Sequence, residues 1–221
     1  LVPLNDAAFR LNLFSAFCAA LAVAILYAAL RQISEQQLPA LLGAATFAVS
    51  ETFWSQALIA EVYALQMLLS AALLYFALRF SLHASRFTLY ALAFVMGLGL
   101  THHRLILLLY PAITFYALRT TPTLLRDLKT LTRAALLFLA PLLLYAYLPW
   151  RGAIGSADGT YENSAQGFFA WVLASQYTVF LTQNPLNIQR DFTFYASLFI
   201  QQFTLAGLAL AAIGFVALFF R

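Results

Sequence analysis

Apolar residues run almost unbroken over about 11–30, 38–50, 63–78, 87–101, 105–118, 134–149 and 203–220, with short polar or charged breaks between them. Such runs show no solvated face, so the pattern predicts helices surrounded by hydrocarbon rather than amphipathic helices around a soluble core. Read as spans, they give an all-α membrane protein, a polytopic helical bundle of about seven spans. Several runs are shorter than the roughly 20 residues of a simple span. The polar stretches that end them, Glu51 to Glu61 and Thr101 to Arg104, are therefore expected to dip below the membrane surface against protein.

The long region without a spanning run covers 151–202. It opens with Arg151-Gly152-Ala153-Ile154-Gly155-Ser156-Ala157-Asp158-Gly159, where glycine and small polar residues favour turns. Phe168, Phe169, Trp171, Val172, Tyr177 and Phe180 follow, and this aromatic density predicts a helix lying at the membrane interface. The expected organisation is thus a membrane core of about six spans over 1–150, a long extracytoplasmic loop with interfacial helices over 151–202, and a further span over 203–221.

Composition agrees with a bilayer environment. Hydrophobic residues make up 63% of the chain and charged residues 9%, with a mean hydropathy of +0.84, against about 25% charged in soluble domains. The net charge of +4 does not imply a nucleic-acid partner, because the cations sort by loop. With Arg10 outside, Arg31, Arg79, Arg86, Arg119, Arg126, Lys129, Arg133 and Arg221 fall inside, and Arg104, Arg151 and Arg190 fall outside with Arg10. Eight of twelve cations inside fit the positive-inside rule. The segment 119–133 then reads as a cytoplasmic surface helix or loop near anionic headgroups. The single cysteine, Cys18, lies in an apolar run and is expected to be a small core residue.

This orientation brings two charged motifs to one membrane face. One is Trp54-Ser55-Gln56 with Glu61-Val62-Tyr63, and the other is Thr101-His102-His103-Arg104. Ionisable groups beside hydrocarbon are costly unless paired or opened to a wet cavity, which makes them functional candidates. If the segment is one helix, Trp54 and Glu61 share a face two turns apart. Glu61 then has two readings: a carboxylate that binds a cation, accepts a substrate hydroxyl or acts as a base, or a structural ion pair with Arg104. Adjacent His102 and His103 diverge by about 100° on a helix and do not make a two-histidine zinc pair. With Arg104 they suit a phosphate group, since guanidinium and imidazole both donate to its oxygens. The structural alternative is a helix cap with snorkelling at the interface.

Arg151, after Tyr147-Leu148-Pro149-Trp150, reads either as a headgroup anchor or as a reserve phosphate contact. Arg10 and Asn12 open the first run and are weaker candidates of the same kind. Gly97 and Gly99 are expected to allow close helix packing. Nucleotide loops, HExxH, CxxC and Gly-x-Ser-x-Gly are missing, which removes nucleotide-driven pumps and soluble-type hydrolases.

Three stretches carry a family resemblance: Arg10-Leu11-Asn12-Leu13-Phe14-Ser15-Ala16, Trp54-Ser55-Gln56-Ala57-Leu58-Ile59-Ala60-Glu61-Val62-Tyr63-Ala64-Leu65, and Gly97-Leu98-Gly99-Leu100-Thr101-His102-His103-Arg104. The chain resembles the transmembrane protein 260-like family labelled domain of unknown function 2723. The likeness covers most of 5–150 and continues more loosely through Pro149-Trp150-Arg151-Gly152. It implies a fold of the C-type glycosyltransferase kind, an O-mannosyltransferase-like activity, a pocket at the outer face, and a polyprenyl-phosphate-linked sugar donor with a protein or glycan acceptor. His102, His103 and Arg104 would meet the donor phosphate, while Glu61 and Tyr63, with Trp54 and Gln56, would shape the pocket. A divalent metal is left open. The catalytic acid of the family resembles part of an Asp-Ser-Gly-Glu motif ahead of the Arg-Leu-Asn segment, and it is expected upstream of residue 1.

Leu1 in place of Met, and Arg221 directly after an apolar run, lead to the expectation of a segment from a longer protein. Short loops and the lack of Asn-x-Ser/Thr point to a bacterial plasma membrane with the site facing outside. Two other classes fit the same residues: a transporter or flippase for a lipid-linked or anionic solute, and a noncatalytic membrane scaffold.

Overall fold

A computed structural model describes residues 6–155, 159–184 and 187–220, without the side chains of 181, 182, 218 and 219. Ser156 to Asp158 and Arg221, used above for the loop and the orientation, lie outside the described residues.

The described residues are helical, with no strand. The main elements are α1 (Ala7–Ser34), α2 (Gln37–Ala48), α3 (Glu51–Ala57), α4 (Tyr63–His83), α5 (Arg86–His102), α6 (Tyr110–Thr120), α7 (Leu128–Leu139), α8 (Tyr147–Gly152), α9 (Ala165–Val172), α10 (Val179–Thr182) and α11 (Phe192–Phe219). Among the described residues, four stretches are long and apolar enough to cross a membrane: Ala7–Ser34, Tyr63–His83, Leu128–Gly152 and Phe192–Ala217. The multi-pass architecture therefore stands, while the count of seven does not follow from helix length. The run at 38–50 forms a helix of only 12 residues.

Local chemistry explains the remaining departures. The run at 105–118 opens as a 3-10 turn, Arg104–Leu109, before α6 begins at Tyr110 with Pro111 in its first turn. Pro141 lacks an amide for the helical ladder, and the chain continues from α7 as a tighter 3-10 stretch, Ala140–Ala146. The helix carrying 203–220 starts earlier, at Phe192, where Asp191 accepts the Phe194 amide at 2.8 Å. The aromatic segment after Ser164 divides into α9, a 3-10 turn Ser175–Tyr177, and α10.

Described residues up to Leu142 and from Phe199 onward form one compact unit, and Leu143–Leu198 forms a second. Within the first unit small residues set the packing. Cys18, Ala19 and Ala22 of α1 meet Ala64 and Ala71 of α4 and Phe53 of α3, a close approach of the kind small residues permit between membrane helices. A second cluster joins Leu69, Leu73 and Ala77 of α4 to Leu92 of α5, Ile106 and Ile113. Two-residue turns, Glu35-Gln36 and Ala84-Ser85, fold α2 back from α1 and α5 back from α4. At both, a non-glycine residue takes a left-handed conformation, Glu35 at φ 58° and Ala84 at φ 46°. The α4–α5 hairpin thereby returns the end of α5 to the start of α4.

Candidate functional site

α3 ends at Ala57, and Leu58 to Val62 form a bend rather than a continuation of the helix. Trp54 and Glu61 therefore do not share a helical face. The reason is local: the Leu58 amide turns to the Ser55 carbonyl at 3.3 Å, which leaves the i to i−4 ladder, and the Glu61 amide then bonds the Ile59 carbonyl at 2.9 Å in a tight turn. The ladder resumes with α4, where the Gln66 amide bonds the Val62 carbonyl at 3.1 Å.

That same Val62 carbonyl also accepts from Nε2 of His102 at 2.8 Å. The ring of His103 lies 6.0 Å from the ring of Tyr63, tilted at 51°. The two motifs, 40 residues apart in sequence, are thus one constellation at one end of the α4–α5 hairpin. His103 has a further contact, because its Nδ1 accepts the Leu105 amide at 3.3 Å and caps the 3-10 turn. Partial burial, then the neighbouring charges of His102 and Arg104, hold the His103 pKa below its ordinary 6.5.

The other candidates take separate places. Arg104 opens the 3-10 turn and is partly buried. Glu61 is exposed in the bend, and Trp54 is 57% exposed. Gln56 and Tyr63 line a cleft of about 250 Å³ with Ser50, Phe53, Met67 and Gln202. The Oε1 atom of Gln56 is buried, with no hydrogen-bond partner among the described residues. Arg10 and Asn12 are exposed early in α1, and among the described residues their side chains make no hydrogen bond or ion pair. Arg151 belongs to the second unit and donates to the Gly155 carbonyl at 2.6 Å, closing the turn after α8.

Sequence reading missed Thr52 and Gln202. Gln202 donates from Nε2 to Thr52 Oγ1 at 2.6 Å and accepts the Thr52 amide on Oε1 at 3.1 Å. The signal available was an amide pair, Gln201-Gln202, at the edge of an apolar run. Among the described residues no group of three or more His, Cys, Asp or Glu side chains is placed to hold a metal ion.

These features define a class: a multi-pass, all-helical integral membrane protein whose polar motifs converge at one end of a helical hairpin. Residues 1–125 match the family described as the Protein O-mannosyl-transferase TMEM260 N-terminal domain, and the chain belongs to that family. It is 28% identical over 190 residues to Protein O-mannosyl-transferase TMEM260 of Mus musculus, an alignment covering 81% of this chain and 27% of the mouse protein. The chain thus spans about a quarter of the length of that relative. No solved structure matches.

Proposed function

We propose that this chain is the membrane core of a glycosyltransferase that moves a sugar from a polyprenyl-phosphate donor to a protein or glycan acceptor at the outer face of a bacterial plasma membrane. The observation that carries the reading is the contact of Val62 and Tyr63 with His102 and His103, in a chain of an O-mannosyl-transferase family. A lipid phosphate needs hydrogen-bond donors and positive charge beside an apolar environment, which the His102-His103-Arg104 segment supplies.

In the reaction the acceptor hydroxyl gives its proton to a carboxylate base while its oxygen bonds to the sugar anomeric carbon. The bond from that carbon to the phosphate oxygen breaks, and polyprenyl phosphate leaves with the electron pair. The base we assign is the acid of the Asp-Ser-Gly-Glu motif expected ahead of the Arg-Leu-Asn segment. Glu61 and Tyr63 shape the acceptor side, with Gln56 and Trp54 in the same motif, and Arg10 and Asn12 are reserve contacts.

Transfer from a radiolabelled polyprenyl-phosphate sugar by the full-length parent protein tests this. Transfer should collapse in the acid variant and fall in Glu61→Gln and Arg104→Ala. Folded protein that transfers from no common polyprenyl-phosphate donor would move the reading to a transporter or a scaffold.

A further inference from the structure

Hydrogen-bond direction gives the two adjacent histidines different jobs. A carbonyl oxygen only accepts, so His102 carries its proton on Nε2 to reach Val62 at 2.8 Å. In the tautomer this bond selects, the other ring nitrogen, Nδ1, holds a lone pair, and a lone pair offers an oxyanion nothing. At His103 the polarity is reversed in use: Nδ1 accepts the Leu105 amide, so the neutral ring carries its proton on Nε2. Among the described residues that Nε2–H has no hydrogen-bond partner. The Tyr63 ring lies beside it, 6.0 Å away between ring centres.

We infer that His103 is the histidine that binds the donor phosphate, giving its Nε2–H to a phosphoryl oxygen, while His102 is a positioning residue that ties the end of α5 to the start of α4. This rests on the phosphate-linked donor of the proposed function and divides roles that the sequence left shared. Two constraints follow. His103 needs an acceptor at its Nδ1 position for the cap and a donor at Nε2 for the ligand. His102 needs only a donor at its Nε2 position.

Amide side chains separate these demands, because an Asn amide reaches the Nδ1 position and a Gln amide the Nε2 position. The full-length parent protein in nanodiscs is titrated with geranylgeranyl phosphate and, separately, with geranylgeraniol. Wild type binds the phosphate more tightly. His103→Asn keeps the cap and lacks the outward donor, so it loses about tenfold in affinity for the phosphate, with prenol binding and the melting temperature at neutral pH unchanged. His102→Gln binds like wild type and His102→Asn is weakened.

His103→Asn binding the phosphate like wild type, or His102→Gln failing as badly as His102→Asn, overturns the division of roles and leaves the donor reading standing. Wild type binding both ligands equally overturns the donor reading, and the division with it. Ring nitrogen-15 shifts check the assignment without ligand, since both residues must be Nε2–H tautomers. A proton on Nδ1 of either ring overturns it even where a variant does not fold.

Discussion

Gln202 clamps Thr52 with both ends of its amide, across 150 residues of sequence. The Thr52 amide lies in the first turn of α3, where helix amides lack intrahelical partners. Ser50, the residue before the helix, does not cap it, because its hydroxyl donates to the Phe47 carbonyl at 2.8 Å. Gln202 therefore caps α3 from a distant helix and closes one side of the cleft lined by Gln56 and Tyr63. Gln202→Ala should cost about 1 kcal/mol, read as a lower melting temperature in detergent. Amide exchange at Thr52 should rise, and unchanged exchange there would refute the capping role.

Gly97 and Gly99 differ in what a side chain would strike. A Cβ on Gly97 would overlap the backbone carbonyl of Phe138 on α7, whereas one on Gly99 would meet the end of the Ile106 side chain. A backbone cannot rotate aside, so α5 and α7 would have to separate. Gly97→Ala should destabilise by about 2–3 kcal/mol or more, at the upper end of overpacking costs, and Gly99→Ala by less. Melting temperatures in the opposite order would contradict this packing.

Thr204 breaks α11 at φ 58°, ψ 164°, a region that is essentially glycine territory and costs other residues about 1–3 kcal/mol. Its Oγ1 accepts the Gly207 amide at 3.3 Å, which caps the second half of the helix. Glycine relieves the strain and loses little as a cap. Thr204→Gly should be stabilising by about 1 kcal/mol, whereas Thr204→Ala keeps the strain, loses the cap and destabilises. Denaturation midpoints of the two variants, compared with wild type, decide the matter.

Asp127 caps α7 and pairs with Arg86 at 3.3 Å. Hydrogen bonds from the Thr130 hydroxyl and amide, then the charges of Arg86 and Lys129, hold its pKa below the ordinary 3.8. A depressed carboxylate stabilises the fold fully above the unfolded value and loses that contribution as pH falls through the folded one. Acid melting curves of Asp127→Asn should therefore be flatter than wild type below pH 3.8, with the two differing most at neutral pH.

His103 has a window at milder pH. Its folded pKa lies below 6.5, so protonation favours the unfolded state. Stability is complete above pH 6.5 and declines as pH falls toward the folded value. Protonation also removes the Nδ1 lone pair that caps the Leu105 amide. His103→Asn keeps the cap without titrating and should lose this decline, as melts between pH 5 and pH 7 would read directly.

The bilayer environment and the helical class were legible in the residue pattern, because hydrocarbon leaves the backbone no hydrogen-bond partner but itself and long apolar runs must become helices. The convergence of the two motifs was also foreseeable in outline: loop charges alone put Glu61 to Tyr63 and His102 to Arg104 on one face. Individual roles were not. Whether Trp54 and Glu61 share a helical face depends on where the ladder breaks, and that happens at Leu58, whose amide turns to the Ser55 carbonyl.

Length alone could not say how many runs cross the membrane, since runs such as 38–50 fold into helices too short to be counted by that measure. The tertiary structure decided which histidine faces the backbone and which keeps an open donor, because a ring nitrogen's role is fixed by its partner. It also decided that α3 is capped by Gln202. Sequence fixes helices through contacts within a few residues, but a hydrogen bond spanning 150 residues exists only once the chain has packed.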